Sequence, residues 1–95
     1  MVVSMIQFII ELPDAVSLKE KRRVVKSLKD KLQKKFKLSV SEVDLHESLA
    51  FSQLGAAIVS NSRTFGESVL QKAITFVENE GAGRLQDVSI YSENY

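Results

Sequence analysis

Residues 2–36 read VVSMIQFIIELPDAVSLKEKRRVVKSLKDKLQKKF, and the spacing of the apolar residues changes within this stretch. Its first part alternates apolar residues on one face, which is typical of a β-strand. After the break at Pro13, the apolar spacing is that of a helix, and Ser17 with Glu20 three residues later predicts a capping box. The stripe on this helix consists of Val24, Val25, Leu28, Leu32 and Phe36. The stretch therefore predicts a strand followed by a long helix from Ser17 to Phe36.

Two further strands are predicted after this helix. The first runs from Leu38 to Leu45, and a change in the parity of its apolar residues predicts a bulge near Ser41 and Glu42. The next runs from Phe51 to Ser60. Small residues in the middle of a strand allow a helix to approach the sheet closely. The small residues here are Gly55, Ala56 and Ala57.

A second helix is predicted to begin near Thr64, because Glu67 follows three residues later and suggests another capping box. Two glycines end it, Gly81 and Gly83. Its apolar stripe consists of Phe65, Val69, Leu70, Ala73, Phe76 and Val77. A last strand is then expected at residues 85–91, with residues 92–95 as a short tail.

This order of elements, β-α-β-β-α-β, predicts one domain over residues 1–95. Right-handed crossovers place the strands in an antiparallel sheet of order 4-1-3-2, with both helices on one face. The expected fold class is α+β, a ferredoxin-like βαββαβ sandwich. The first and third strands are then central, which agrees with their apolar character.

The composition excludes several chemistries. No cysteine is present, so disulfides, thiolate catalysis, cysteine-ligated zinc and iron–sulfur clusters are absent. Met1 to Ile10 has neither the basic start nor the small-residue cleavage site of a signal peptide, and no apolar run is long enough to span a bilayer. We therefore expect a cytoplasmic protein without a membrane span, and we expect no cofactor.

The charge distribution is strongly asymmetric although the net charge is only +1. From Lys19 to Lys37, ten basic residues oppose two acidic ones, Glu20 and Asp30, which gives this segment a formal charge of +8. The rest of the chain has three basic and ten acidic residues, a charge of −7. One surface of the molecule should therefore be basic and the remainder acidic.

Two interpretations of the basic helix compete. A solvated face explains Lys34, Lys35 and Lys37, because the helix dipole favours cations at the C-terminus. A solvated face does not explain Lys19, Lys21, Arg22 and Arg23 in the first turns. There, each cation lowers the stability of the helix by roughly 0.3 kcal/mol or more. The other interpretation is a phosphate-binding surface, with RNA as the first expected target and DNA or an anionic membrane as the second. Its candidate residues are Lys19, Arg22, Arg23, Lys26 and Lys34.

Lys21 differs from its neighbours because it falls within the apolar sector of the helix. Its stem can lie over the core while its ammonium reaches a carboxylate at the end of a strand. The candidate carboxylates are Glu11, Asp14, Glu42 and Asp44, and a structural salt bridge between Lys21 and Glu42 is the one we expect.

Enzymatic and metal-dependent functions find little support. His46 is the single histidine, and although Asp44 and Glu47 flank it, a polar loop residue is the expected role. No catalytic triad or phosphate-binding glycine loop is present. No metal site, catalytic residue or small-molecule substrate is therefore predicted, and RNA would be bound by charge because the central strands lack an outward aromatic platform.

The outward face of the two central strands is unusually apolar. Its residues include Val3, Met5, Ile9, Ala57 and Val59. Either the tail or the second hairpin covers this face, or it binds a partner, of which a two-fold homodimer is the simplest form. We favour the partner interpretation.

The segment SLKEKR at residues 17–22, followed by VVKSL at 24–28, resembles the signature of the YlxP-like family of small bacterial proteins, also called DUF503. Further similarities are SV at 39–40 with EVD at 42–44, LG at 54–55 and FVE at 76–78. The resemblance implies a ferredoxin-like fold. It also implies a role near the ribosome, with ribosomal RNA or a ribosomal particle as partner, because genes of this family often lie beside those of translation and ribosome-maturation factors.

Overall fold

The computed structural model describes residues 1–95 as six elements in the order βαββαβ. They are β1 (Val2–Glu11), α1 (Leu18–Phe36), β2 (Ser39–Asp44), β3 (Phe51–Ser60), α2 (Arg63–Glu80) and β4 (Arg84–Asn94). The strands form one antiparallel sheet in the order β2-β3-β1-β4. The predicted ferredoxin-like topology is confirmed, and β1 and β3 are the central strands.

The core lies between the sheet and the two helices. Alternate residues of β1 point into it, which follows from the two-residue period of a strand. Fifteen buried apolar residues form the core cluster, and both helices contribute to it. The other side of the sheet carries no helix, and we call it the open face.

Ser17 is the N-cap of α1 as predicted, but the capping box is only half formed, because the Glu20 carboxylate does not accept from the N–H of Ser17. The Oγ of Ser17 accepts a hydrogen bond from the backbone N–H of Glu20 at 3.1 Å. The helix ends at Lys37, whose backbone is left-handed and whose N–H donates to the carbonyl of Gln33 at 3.0 Å. The buried residues of α1 are Lys21, Val25, Leu28 and Leu32, of which only Lys21 is charged.

The expected start of α2 at Thr64 is wrong. Ser62 is the N-cap, and its Oγ accepts from the N–H of Phe65 at 3.2 Å. Phe65 therefore lies in the first turn and is 57% exposed rather than part of the buried stripe. Glu67 does not complete a capping box, because its carboxylate accepts a hydrogen bond from Ser92 of β4 at 2.6 Å. Gly81 ends the helix in a left-handed conformation, as predicted.

One strand detail agrees with the expectation and one differs. The register of β2 on β3 shifts between Glu42 and Asp44, where a bulge is predicted near Ser41 and Glu42. The last strand is longer than residues 85–91, because the expected tail pairs with β1 as far as Asn94. The tail therefore extends the sheet edge and does not cover the open face.

The glycine at which a helix approaches the sheet most closely is Gly66 in α2, not Gly55 in β3. A Cβ at Gly66 would collide with the side chain of Ser4 in β1. A Cβ at Gly55 would instead lie 3.1 Å from Cγ1 of Val43, on the open face. Of the three small residues in β3, only Ala56 is buried in the core.

Candidate nucleic-acid interface

The side of α1 that points away from the core carries all five predicted phosphate-binding residues. Each of them is exposed: Lys19, Arg22, Arg23, Lys26 and Lys34. We call this set the cationic surface. The helix has 19 residues and is therefore about 28 Å long, so these charges are distributed along one continuous ridge.

Few of the cations along α1 have a carboxylate partner. Lys26 pairs with Asp30 at 3.0 Å within the helix, and Lys31 pairs with Glu80 of α2 at 2.7 Å. Lys35 lies over the ring of Phe76, with 5.0 Å between Nζ and the ring centroid. Lys29, which is half-buried, forms no ion pair, and neither do the exposed cations Lys19, Arg22, Arg23, Lys34 and Lys37. Their positive charge is available to an anionic partner.

Lys21 is not part of this surface, because its side chain is only 1% exposed. Its Nζ lies 3.4 Å from Oε2 of Glu42 and donates to the carbonyls of Leu45 at 2.6 Å and Ser48 at 2.5 Å. The carbonyl of His46 lies at 3.4 Å from the same nitrogen. The ammonium thus joins α1 to the β2–β3 connection, and no donor remains for an external ligand.

The loop carbonyls around Lys21 could not be anticipated from the sequence. The place of Lys21 in the apolar sector of the helix indicates a buried stem, and its charge indicates a carboxylate partner. The carbonyls converge only because the chain turns sharply after β2, where Leu45 has a left-handed backbone with φ of 64°. Glu42 is held in turn by the hydroxyl of Ser52, which donates to its Oε2 at 2.6 Å.

A cleft of about 320 Å³ lies between α1 and the end of α2. Its lining combines apolar and polar residues: Arg23, Val24, Ser27, Leu28, Lys31, Glu80 and Ala82. Sequence reasoning missed this cleft, because no local pattern indicates that residues near 80 lie beside residues 23–31. This proximity is seen only in the folded chain, where the Lys31–Glu80 ion pair joins the two helices.

The open face holds the five residues predicted as an interface. Val3 pairs with Val59, and Met5 pairs with Ala57, across the two central strands. Ile9 lies two residues further along β1 from Gln7, which accepts a hydrogen bond from Gln53. Three apolar or aromatic residues on this side of the sheet are exposed: Val43 (49%), Val59 (62%) and Tyr91 (41%). A groove of about 500 Å³ runs between Val43 and Tyr91.

No group of three or more histidine, aspartate or glutamate side chains is arranged to hold a metal ion. The single histidine, His46, has Nε2 at 3.1 Å from the carbonyl of Glu42 and lies in the β2–β3 connection. Neither helix is long and apolar enough to cross a membrane.

Comparison with known proteins identifies the family. Residues 3–90 match the family described as "Protein of unknown function (DUF503)". The chain belongs to the DUF503 family. A relative, YlxP of Bacillus subtilis (strain 168), described as an uncharacterized protein, is 39% identical over 66 residues, which cover 70% of this chain and 72% of YlxP. The resemblance noted from the SLKEKR segment is thereby confirmed.

Solved structures support the fold of this DUF503 protein. The de novo designed ferredoxin-fold protein LFR1 1 is similar with a TM-score of 0.54 and 14% identity, over 98% of this chain and 84% of the designed one. The protein At3g17210 of Arabidopsis thaliana is similar with a TM-score of 0.50 and 12% identity, over 97% of this chain and 94% of its own. At such low identities these similarities concern the fold alone.

Proposed function

We propose that this DUF503 protein binds RNA through the cationic surface of α1, as a binding protein rather than an enzyme. The observation that carries the proposal is the row of five exposed cations along about 22 Å of α1, of which only Lys26 has a carboxylate partner. Contacts from lysine and arginine to phosphates provide most of the affinity of such a surface.

The position of the charges supports a ligand. Lys19, Arg22 and Arg23 lie at the N-terminal end of α1, where the helix dipole disfavours cations. α2 covers the same face of the sheet without comparable charge, because its only basic residues are Arg63 and Lys72. A helix can therefore pack on this sheet without such charges, so packing does not explain the cations of α1.

The sheet does not support recognition by base stacking. Phe51 and Tyr91 are the aromatic residues on the open face, but their β1 partners, Glu11 and Met5, are six residues apart. Six residues of strand separate them by about 20 Å, too far for a platform on which neighbouring bases stack. Binding through phosphates is therefore the mode we propose.

The family resemblance, with its implied role near the ribosome, favours ribosomal RNA or a ribosomal particle over DNA.

The test compares two triple charge reversals in an RNA-binding titration. In the first variant, Lys19, Arg22 and Arg23 are changed to Glu. The matched control changes Arg63, Lys72 and Arg84, the basic residues outside α1 and its cap, to Glu. Each variant reverses three charges and lowers the net charge from +1 to −5, so the two variants differ only in where the charges are reversed.

Fluorescence anisotropy with a labelled RNA hairpin should show at least about a tenfold weaker affinity for the first variant and a smaller loss for the control. The wild-type affinity should fall steeply with salt, because binding releases counterions. Equal losses in both variants, or no binding of the wild type at low salt, would contradict the proposal.

A second candidate function is homodimerisation through the open face, which the groove and the exposed Val59 favour. The outward residues of β1 and β3 between Val3 and Ile9, and between Gln53 and Val59, include no charged side chain. Two copies can therefore meet there without repulsion between like charges, while the cationic surfaces stay free on the helix side of each copy.

Sedimentation velocity tests this candidate with the variants Val59→Lys and Val16→Lys. Both replace a well-exposed valine, but Val16 lies in the connection before α1. We expect the wild type and the Val16 variant to be dimers and the Val59 variant to be a monomer. A wild type that stays monomeric at high concentration would exclude the candidate.

A further inference from the structure

We infer that the cleft between α1 and the end of α2 binds one unpaired nucleotide, so that the preferred ligand is RNA with a bulge or loop rather than an uninterrupted duplex. This inference rests on the proposed function and names the class of RNA. It depends on the lining of the cleft, on its position beside the cationic surface and on a free carboxylate oxygen.

The floor of the cleft is apolar and its rim is polar. Leu28 is buried and Val24 and Ala82 are partly buried, so they present apolar surface at the bottom of the recess. Arg23 and Lys31 are exposed at the rim. A nucleobase has apolar faces and a polar edge, and a recess with this distribution matches it.

Polar groups are placed to contact the edge of a base. The hydroxyl of Ser27 lines the cleft and can donate or accept a hydrogen bond. Glu80 uses Oε1 for Lys31, at 2.7 Å, while Oε2 forms no hydrogen bond. That free oxygen can accept an N–H from a base, and the guanidinium plane of Arg23 is a group on which bases commonly stack.

The cleft adjoins a second recess of about 370 Å³ that has no apolar lining. Its residues are Arg23, Lys26, Ser27, Asp30, Lys31 and Lys34. Because Arg23, Ser27 and Lys31 line both recesses, the cationic recess and the apolar cleft share a wall. A phosphate in the cationic recess therefore places the base of the same nucleotide beside the cleft between α1 and α2.

The opposite flank of α1 offers no comparable site. The recess there contains Arg22, Lys26 and Lys29, but Val25 is its only hydrophobic residue. Phosphates can bind along both flanks, whereas a base finds an apolar floor only in the α1–α2 cleft. An uninterrupted duplex keeps its bases paired and stacked, so it can contact the cations but cannot fill the cleft.

The test uses two RNA hairpins of the same stem sequence, one fully paired and one with a single-nucleotide bulge. Anisotropy titrations of the wild type should show about tenfold tighter binding of the bulged hairpin, which is within the range that stacking one base contributes. Ser27→Leu fills the cleft without changing the charge. It should lower the affinity for the bulged hairpin to that for the paired hairpin and so abolish the preference.

Ser68→Leu is the matched control, because Ser68 is an exposed serine of α2 that does not line the cleft. This variant should keep the preference for the bulge. Equal binding of both hairpins by the wild type would overturn the inference while the proposed function stands, and binding of neither hairpin would overturn both. If GMP or AMP at millimolar concentration binds the cleft while the two hairpins bind equally, the site belongs to a free nucleotide and the inference also fails.

Discussion

The two βαβ halves of the molecule begin their helices in the same way and then differ at one equivalent position. Ser17 and Ser62 cap α1 and α2, each accepting from the N–H three residues later, at 3.1 and 3.2 Å. The fourth helical residue is buried in both helices, and it is Lys21 in α1 but Gly66 in α2. The same cap geometry thus directs this position inward, while the space available there differs between the two halves.

The difference shows how each helix is fixed to the sheet. At Lys21 the helix lies far enough away that a long side chain reaches Glu42 and the carbonyls of the β2–β3 connection. At Gly66 the helix lies so close to β1 that a Cβ would collide with Ser4. Polar contacts therefore anchor α1, and close backbone approach anchors α2.

The largest expected effect is the loss of the Lys21 anchor. Lys21→Ala leaves Glu42 without its counter-charge and several loop carbonyls without their donor. Breaking a buried ion pair typically costs about 3 kcal/mol or more in the free energy of unfolding. Urea denaturation should show this loss, whereas Lys19→Ala, two residues earlier and exposed, should change stability by less than about 0.5 kcal/mol. A loss at Lys21 as small as that at Lys19 would show that the polar contacts do not anchor α1.

Gly66→Ala should have the next largest effect on the free energy of unfolding. The sign of this effect shows whether helix propensity or overpacking dominates. Alanine is a better helix former than glycine by about 1 kcal/mol, which alone would stabilise α2. Overpacking against Ser4 typically costs about 1–3 kcal/mol, so we expect a net destabilisation of about 1 kcal/mol. Ser68→Ala at an exposed position of the same helix should not be destabilising. A stabilising Gly66→Ala would mean that β1 can move away at little cost.

The two N-caps should give equal and smaller effects. Ser17→Ala and Ser62→Ala each remove a hydrogen bond to a first-turn N–H, which costs about 1 kcal/mol. Thermal unfolding should show similar decreases in Tm for both variants. Thr64→Ala serves as the control, because Thr64 is not the cap, and a larger effect there than at Ser62 would restore the start predicted from the sequence.

The smallest effect concerns the charges that distinguish α1 from α2. Arg22→Glu should raise the free energy of unfolding by about 0.5 kcal/mol at low salt, because it replaces a cation near the positive end of the helix dipole. Lys34→Glu, near the other end, should lower it by a similar amount. Both effects should diminish in high salt. If Arg22→Glu is destabilising, the cation contributes to the fold, and its position would no longer support a ligand.

Some site residues could be predicted from local sequence and others could not. The burial of Lys21 followed from its place in the apolar sector of α1, and the exposure of the cationic surface followed from the same helical period. The cleft could not be predicted, because Glu80 and Ala82 reach α1 only through the packing of two helices that are distant in sequence. The prediction of a cap at Thr64 is wrong, because Ser62 caps the helix and Glu67 accepts a hydrogen bond from Ser92 of β4.

The sequence by itself determined the order of elements, the sheet topology and the concentration of positive charge on one helix, because residue periodicity and crossover handedness act locally. Only the tertiary structure decided the environments of Lys21 and Gly66. Both residues occupy the same place after a serine cap, but the distance between helix and sheet is set by side chains from the whole core. The tertiary structure also decided that a cleft with an apolar floor lies beside the cationic surface. This cleft separates a general attraction for phosphate from the proposed recognition of an unpaired nucleotide.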